Sequence, residues 1–246
     1  MTDRLPTRLE TEPLLEVVAE MRFESTDASA VNLLPGILSE RFSQYDEVKT
    51  LPNAQIPTSL ASKQDALKYL PHIQLRHDNN VIAIGPHSIT VAQLPPYAGW
   101  TKFSAHALEV FEELKGRKFV GSVERISLRY ADIIDLGTAA RTDWLNTRVE
   151  VAGVESHDVV QLKVENGTES VRIVTQIVSP AYAQDGRNGV VVDVDTINLA
   201  PTRQSFWDEL RANFEQLHDL NKAHFFSLLK PSTLEQLKPH YDATDD

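Results

Sequence analysis

Apolar and polar residues alternate just after Pro13. Leu15, Val17, Ala19, Met21 and Phe23 are interleaved with Glu16, Val18, Glu20 and Arg22. A period of two predicts a strand over Leu14–Phe23 with one buried face. The spacing then changes. Val31, Leu34, Leu38 and Phe42 recur at helical intervals within Ala30–Gln44, behind capping residues in Ser25–Ser29 and with Pro35 expected in the first turn. Residues 49–71 carry Pro52, Pro57 and Pro71 and read as a connecting loop, with a short helix at Ser62–Tyr69.

Three short strands are predicted next, His72–His77, Val81–Ile84 and Ser88–Gln93, separated by the turn residues Asp78-Asn79-Asn80 and Gly85-Pro86-His87. Thr101–Lys115 has the apolar stripe of a helix (Phe103, Ala107, Val110, Phe111, Leu114), and Gly116 follows as its cap. Ser122–Ile134 alternates again, with Ile126, Leu128 and Tyr130 on one face and Arg125, Ser127 and Arg129 on the other. A short helix over Thr142–Val149 and a hairpin of His157–Glu165 with Glu169–Val178 around Asn166-Gly167 follow. The pattern closes with a strand at Val190–Asp195, a long helix over Arg203–Leu229, and a last turn at Ser232–Lys238 after Pro231.

The order strand, helix, three strands, helix thus occurs twice, and Met21-Arg22-Phe23 matches Leu128-Arg129-Tyr130 at the two opening strands. The expected fold is α+β. It comprises two pseudo-repeated β-α-β-β-β-α units with mainly antiparallel sheets, joined into one surface with the helices on one face. The units span 13–116 and 117–238, between a flexible N-terminus (1–12) and an acidic tail (239–246).

Composition narrows the functional classes. The 246 residues are 41% hydrophobic, enough for a sizeable core, and include no cysteine, which excludes disulfides, thiolate metal sites and thiol nucleophiles. With no apolar stretch in residues 1–12 that suits a signal peptide, and no run long enough to span a membrane, a cytoplasmic location is expected. The net charge of −11 opposes nucleic-acid phosphates, and the basic run Lys115–Arg129 reads as solvated surface.

Four pieces of the chain are distinctive: Pro13-Leu14-Leu15-Glu16-Val17-Val18-Ala19-Glu20-Met21-Arg22-Phe23; Pro96-Tyr97-Ala98-Gly99-Trp100 with Phe103; Arg125-Ile126-Ser127-Leu128-Arg129-Tyr130; and Leu217-His218 with Phe225-Phe226. Together they resemble the "PL-EVV-E-RF", "Y-GW--F" and "RI-LRY-N" pieces and the final helix of a sporadically distributed family of uncharacterised bacterial proteins of about this length. Ala131-Asp132 stands where that family has Ile-Asn. The resemblance brings no activity, cofactor or catalytic residue with it. It implies an accessory gene, in phage defence or inter-bacterial conflict.

The sequence contains no HExxH, GxSxG, GxGxxG or P-loop motif, and the eight histidines are scattered. Four groups of residues remain as candidates. Arg22 and Arg129, with Glu20 and Arg125 beside them, lie on the polar faces of the two opening strands; if those strands pair, the arginines converge on a groove for a carboxylate or phosphate, or else form cross-strand salt bridges with Glu16 or Glu20. Asp132, Asp193 and Asp195 would bind a divalent ion if their strands are neighbours. Tyr97, Gly99 and Trp100 mark a packed aromatic corner or a pocket wall. Trp207, Phe225 and Phe226 offer the long helix an aromatic surface for a subunit interface. The expected function is a non-enzymatic interaction protein, a subunit of an accessory complex or homo-oligomer needing no cofactor. The alternatives are a metal-dependent hydrolase using the strand carboxylates and a sensor of small anionic ligands.

Overall fold

The structure, a computed structural model, describes residues 5–25, 30–61, 64–139, 141–199 and 206–241. Its elements follow in chain order. Strand β1 is Leu14–Ser25, helix α1 Ala30–Arg41, β2 Glu47–Thr50, β3 Ile73–His77, β4 Asn80–Ile84, β5 Ser88–Gln93 and helix α2 Trp100–Glu112. Then come β6 Val120–Ile134, β7 Val160–Gly167, β8 Val171–Tyr182, β9 Asn188–Asn198, helix α3 Phe206–Leu228 and the short helix α4 Pro231–Gln236.

All nine strands belong to one antiparallel sheet of order β7-β8-β9-β6-β1-β5-β4-β3-β2. The two long alternating strands, β1 and β6, are its centre. Outward from that pair, each half continues through three strands in reverse chain order, β9, β8 and β7 beyond β6 and β5, β4 and β3 beyond β1, where β2 adds a further edge strand. The α+β class and antiparallel pairing expected from the periodicity are therefore present.

One face of the sheet carries the core. Val17, Ala19, Met21 and Phe23 of β1 and Ile126 and Leu128 of β6 are fully buried there, under Leu34 and Leu38 of α1, Phe103, Ala107 and Phe111 of α2, and Leu210, Phe214 and Leu217 of α3. A second apolar cluster continues the layer under the end of α3, joining Ile134, Leu145, Ile177, Val190, Val192, Val194, Phe225 and Leu229. Buried polar groups fix the register of α3 on the sheet. The Asn221 side chain donates to the carbonyls of Leu128 (3.1 Å) and Val194 (2.8 Å), and the Thr196 hydroxyl donates to Leu128 and Leu217. Such satisfied buried groups specify one rotation of the helix, because any other leaves them unpaired.

Several elements differ from expectation. Pro35 lies inside α1 rather than in its first turn, since the helix already begins at Ala30. A fourth strand, β2, pairs with β3 at the sheet edge where a loop was expected. The helix predicted over Thr142–Val149 is a single 3-10 turn, Thr142–Trp144, followed by a small hairpin of Glu150–Val151 with Val154–Glu155. Among the described residues no α-helix stands between β6 and β7, so the second run does not match the β-α-β-β-β-α order. The β7–β8 hairpin forms, but Asn166 and Gly167 pair within the ladder and the turn falls on Thr168–Ser170, where the Thr168 hydroxyl accepts the Ser170 and Val171 N–H groups. Parts of the predicted capping segment (26–29), short helix (62–63), long helix (203–205) and acidic tail (242–246) lie outside the described residues. Arg8–Leu9, in the segment expected to be loose, pairs with Pro239–His240. No helix among the described residues is long and apolar enough to cross a membrane.

Candidate functional site

The open face of the sheet holds the arginines singled out in the sequence. β1 and β6 are neighbours, as the groove hypothesis requires, but the register keeps the two key arginines apart. Arg22 faces Arg125, whereas Arg129 faces Val18, so Arg22 and Arg129 are four residues, about 13 Å, apart along the strands. Each is also already ion-paired. One Glu20 oxygen accepts from Arg22 Nε (2.8 Å) and Arg125 Nη2 (2.7 Å), and the Arg22 guanidinium lies 4.1 Å over the Tyr69 ring. Arg129 makes a bidentate pair with Asp193 (Nε 2.8 Å, Nη2 2.7 Å) and a further bond to Glu16 (3.0 Å). Burial opposes the Arg129 charge, yet the hydrogen bonds and charge of Asp193, with Glu16 and Asp195, outweigh it and hold the guanidinium firmly protonated. The cross-strand salt bridge to Glu16, rather than a converging anion groove, is what these residues build.

The three aspartates do not meet either. Asp193 and Asp195 lie on the open face, where Asp195 stands opposite Arg129. Asp132 pairs with Val192, one position from Asp193, and so projects through the helix side of the sheet. No group of three histidine or acidic side chains suited to a metal ion occurs among the described residues. The carboxylates were linked by their nearness along neighbouring strands, and the parity of the pleat separates them. The aromatic surface expected on α3 is likewise taken up in packing. Phe225 is buried, and Trp207 and Phe226 are half-buried against the two apolar clusters.

Asp132 instead opens into a cavity of about 560 Å³. Four separated parts of the chain wall it: the N-terminal segment Thr7–Leu14, the corner Tyr97–Trp100, the end of β6 at Tyr130 and Asp132, and two turns of α3 carrying His218, Asn221, Lys222, Phe225 and Phe226, with Arg187 bracing the N-terminal wall from outside. Residues 218, 221, 222 and 225 recur at the helical repeat, so the rotation fixed by Asn221 presents them together. The corner is built by Gly99, whose φ of 89° only glycine adopts freely, and by Gln93, which accepts the Ala98 N–H at 2.9 Å.

The cavity wall is a continuous aromatic and polar network. His218 stacks on Trp100 with centroids 4.0 Å apart, and the Trp100 indole N–H donates to Glu215 at 2.6 Å. Tyr130 shares hydrogen bonds with the Tyr97 hydroxyl (3.0 Å) and His218 Nδ1 (3.4 Å). Burial, reinforced by Lys222, lowers the His218 pKa to about 4, so the ring is neutral near pH 7 and its Nδ1 can accept the Tyr130 proton. Burial pushes Tyr97 up to about 12 and Tyr130 well above its ordinary range, so both stay protonated.

Asp132 is the exceptional group. It is 6% exposed, and among the described residues nothing hydrogen-bonds its carboxyl. Burial first, then the negative charges of Glu12 and Asp193, raise its pKa to about 8 against the partial relief of Arg187. Glu12, at the mouth, is also raised by burial, although the Tyr97 N–H and Arg187 favour its charge. Most buried carboxyls are satisfied by partners; this one faces an open space lined by Trp100, Tyr97 and Phe226.

The cavity gathers residues from every distinctive piece of the sequence: Pro13 and Leu14, Tyr97, Gly99 and Trp100, Tyr130, and His218 with Phe225 and Phe226. Of these only the aromatic corner was read as a pocket wall. Asp132 was misplaced by its proximity to Asp193, although it shares the parity of Leu128 and Tyr130, which is the apolar face of β6. No protein-family model and no curated protein sequence matches the chain, so the site rests on its chemistry.

Proposed function

We propose that this protein binds a small organic molecule in the cavity between its N-terminal segment and α3. The observation that supports this is Asp132, a buried carboxyl without a hydrogen-bond partner among the described residues, which opens into a space of ligand size bounded by aromatic rings. Pockets for small molecules combine these traits, a largely apolar wall with a few placed polar groups and an ionisable group far from its ordinary pKa. The sensor reading survives in this form, moved from the arginines of the open face to the opposite side of the sheet. A library of small aromatic compounds, screened by thermal shift, tests it. Ligands should raise the melting temperature of the native protein and not of Ala98→Trp, which places a bulky ring at the exposed rim and leaves the core alone; a ligand at a hundred times its Kd contributes about 2.7 kcal/mol. Equal shifts in both proteins, or none in either, would refute the proposal.

A protein partner is the second reading, as for a subunit of an accessory complex. It is favoured by Val151 and Val154, a directly paired couple on the small hairpin that are each 69% exposed, with Val159 and Tyr182 also open to solvent. Val151→Asp with Val154→Asp should then release a partner captured by the native protein, and unchanged capture would count against this surface. Internal duplication also remains our reading of the chain. It is supported by the outward order opening, last, middle, first strand on both sides of the β1–β6 pair.

A further inference from the structure

Resting on the cavity reading, we infer that the ligand is a zwitterion with an apolar body, an amino-acid-like molecule whose ammonium group meets Asp132 and whose anionic group meets Lys222. Three observations carry this. Asp132 is only 6% exposed, its carboxyl has no hydrogen-bond donor among the described residues, and it shares its surroundings with the negative charge of Glu12. Ionising this carboxyl alone is costly, which keeps it mostly protonated at neutral pH, and an incoming ammonium offsets that cost by pairing with the ionised form. A ligand carboxylate at that position would add a further negative charge to the same pocket.

The second observation is Lys222, one helical turn beyond His218 on the cavity face of α3. Among the described residues it forms no ion pair or hydrogen bond, though its charge helps keep the His218 ring neutral. A purely cationic ligand would be repelled by it, whereas an anionic group on the same molecule would be held. The third is the aromatic part of the cavity wall. Trp100 and Phe226 offer flat apolar surface to the ligand body, and Trp100 is held in place by its bond to Glu215 and its stack on His218. Rings so positioned also favour a nearby ammonium through their π faces.

Calorimetric titration of the whole protein at neutral pH with four probes tests the inference: L-phenylalanine, phenethylamine, 3-phenylpropionate and 3-phenylpropanol. Phenylalanine should bind at least tenfold more tightly than each probe lacking one or both charges. Asp132→Asn should abolish the advantage of the amine and leave that of the carboxylate, and Lys222→Met should do the reverse. If the neutral alcohol binds as well as phenylalanine, the zwitterion is wrong while the cavity stands. If none of the four binds but other compounds give shifts that Ala98→Trp removes, the zwitterion again falls alone. If no compound of any kind gives such a shift, both readings fall together.

Discussion

The imidazole of His218 lies flat on the indole of Trp100, with ring centroids 4.0 Å apart and planes within 4°. The stack seals the ring from water on one side, and burial with the Lys222 charge lowers its pKa to about 4. Between about pH 4 and 6.5 the unfolded chain therefore takes up a proton at His218 that the folded protein refuses. His218 costs no stability above pH 6.5 and costs progressively more as pH falls toward 4. Following the histidine ring protons by NMR should show one resonance titrating near pH 4. Trp100→Ala, which admits water, should move that midpoint up toward 6.5, and an unmoved midpoint would show that the stack does not set it.

Asp132 has the opposite sign. Its carboxyl is held protonated up to about pH 8 in the fold, whereas an unfolded aspartate ionises near 4. The penalty is absent below pH 4 and grows as pH rises toward 8. Asp132→Asn, which keeps the shape and removes the ionisation, should raise the melting temperature by roughly 4 °C or more at pH 8, a gain of about 1 kcal/mol or more for a chain of this size. The gain should vanish at pH 4. A substitution that stabilises the fold while removing ligand binding marks a residue kept for function, because binding sites retain groups that the fold alone would exclude. A loss of stability at pH 8 would instead make Asp132 structural.

Arg129 is predicted to matter for folding and not for binding. Arg129→Ala strands Asp193, only 7% exposed, beside Asp195 and Glu16. Removing one partner of a buried pair costs about 3–5 kcal/mol, and the partial exposure of Arg129 reduces this to roughly 2 kcal/mol. Urea denaturation of Arg129→Ala, Asp193→Asn and the double variant should give a clear coupling energy, while cavity ligands bind the folded variants as before. Altered ligand affinity in Arg129→Ala would restore the groove on the open face.

Asn221 ties α3 to two strands at once. Asn221→Ala leaves the bonded carbonyls of Leu128 and Val194 with one partner fewer in a buried place, at about 1–3 kcal/mol for each group left unsatisfied. It should also free the rotation of α3 and blur the facing of His218 and Lys222. The expected result is a lower melting temperature together with weaker ligand binding. Reduced stability with unchanged affinity would show that packing of Phe214 and Phe225 orients the helix without Asn221.

The central strands were legible because their pattern has a period of two: Val17, Ala19, Met21 and Phe23 are buried, and the positions between them, Val18 included, are not. The β2 strand, Glu-Val-Lys-Thr, was not, because an edge strand exposed along its whole length has no buried face to record. The Thr142–Val149 segment has helix-compatible residues, but Leu145 inserts into the second apolar cluster with Trp144 packed beside it, and its backbone bridges to Leu229, so tertiary contacts override local preference. The cavity could not be read as a unit, since its walls come from segments as distant as residues 7 and 226 and no periodicity links them. One signal was available, a carboxylate on the apolar parity of a buried strand, and counting by twos from Leu128 through Tyr130 reaches it at Asp132.

The Thr7 N–H and hydroxyl both bond to the carbonyl of His240, 233 positions away. The front wall of the cavity is thus fastened by a segment synthesised more than two hundred residues after it. A nascent chain lacking that part can assemble the central strands and retain Asp132 at the end of β6, but it lacks the backbone partners that hold Thr7, Glu10 and Thr11 across the opening. Occupancy of the cavity would therefore report a chain synthesised past residue 240. Nicked or prematurely terminated copies would lose the ligand before they lose the sheet.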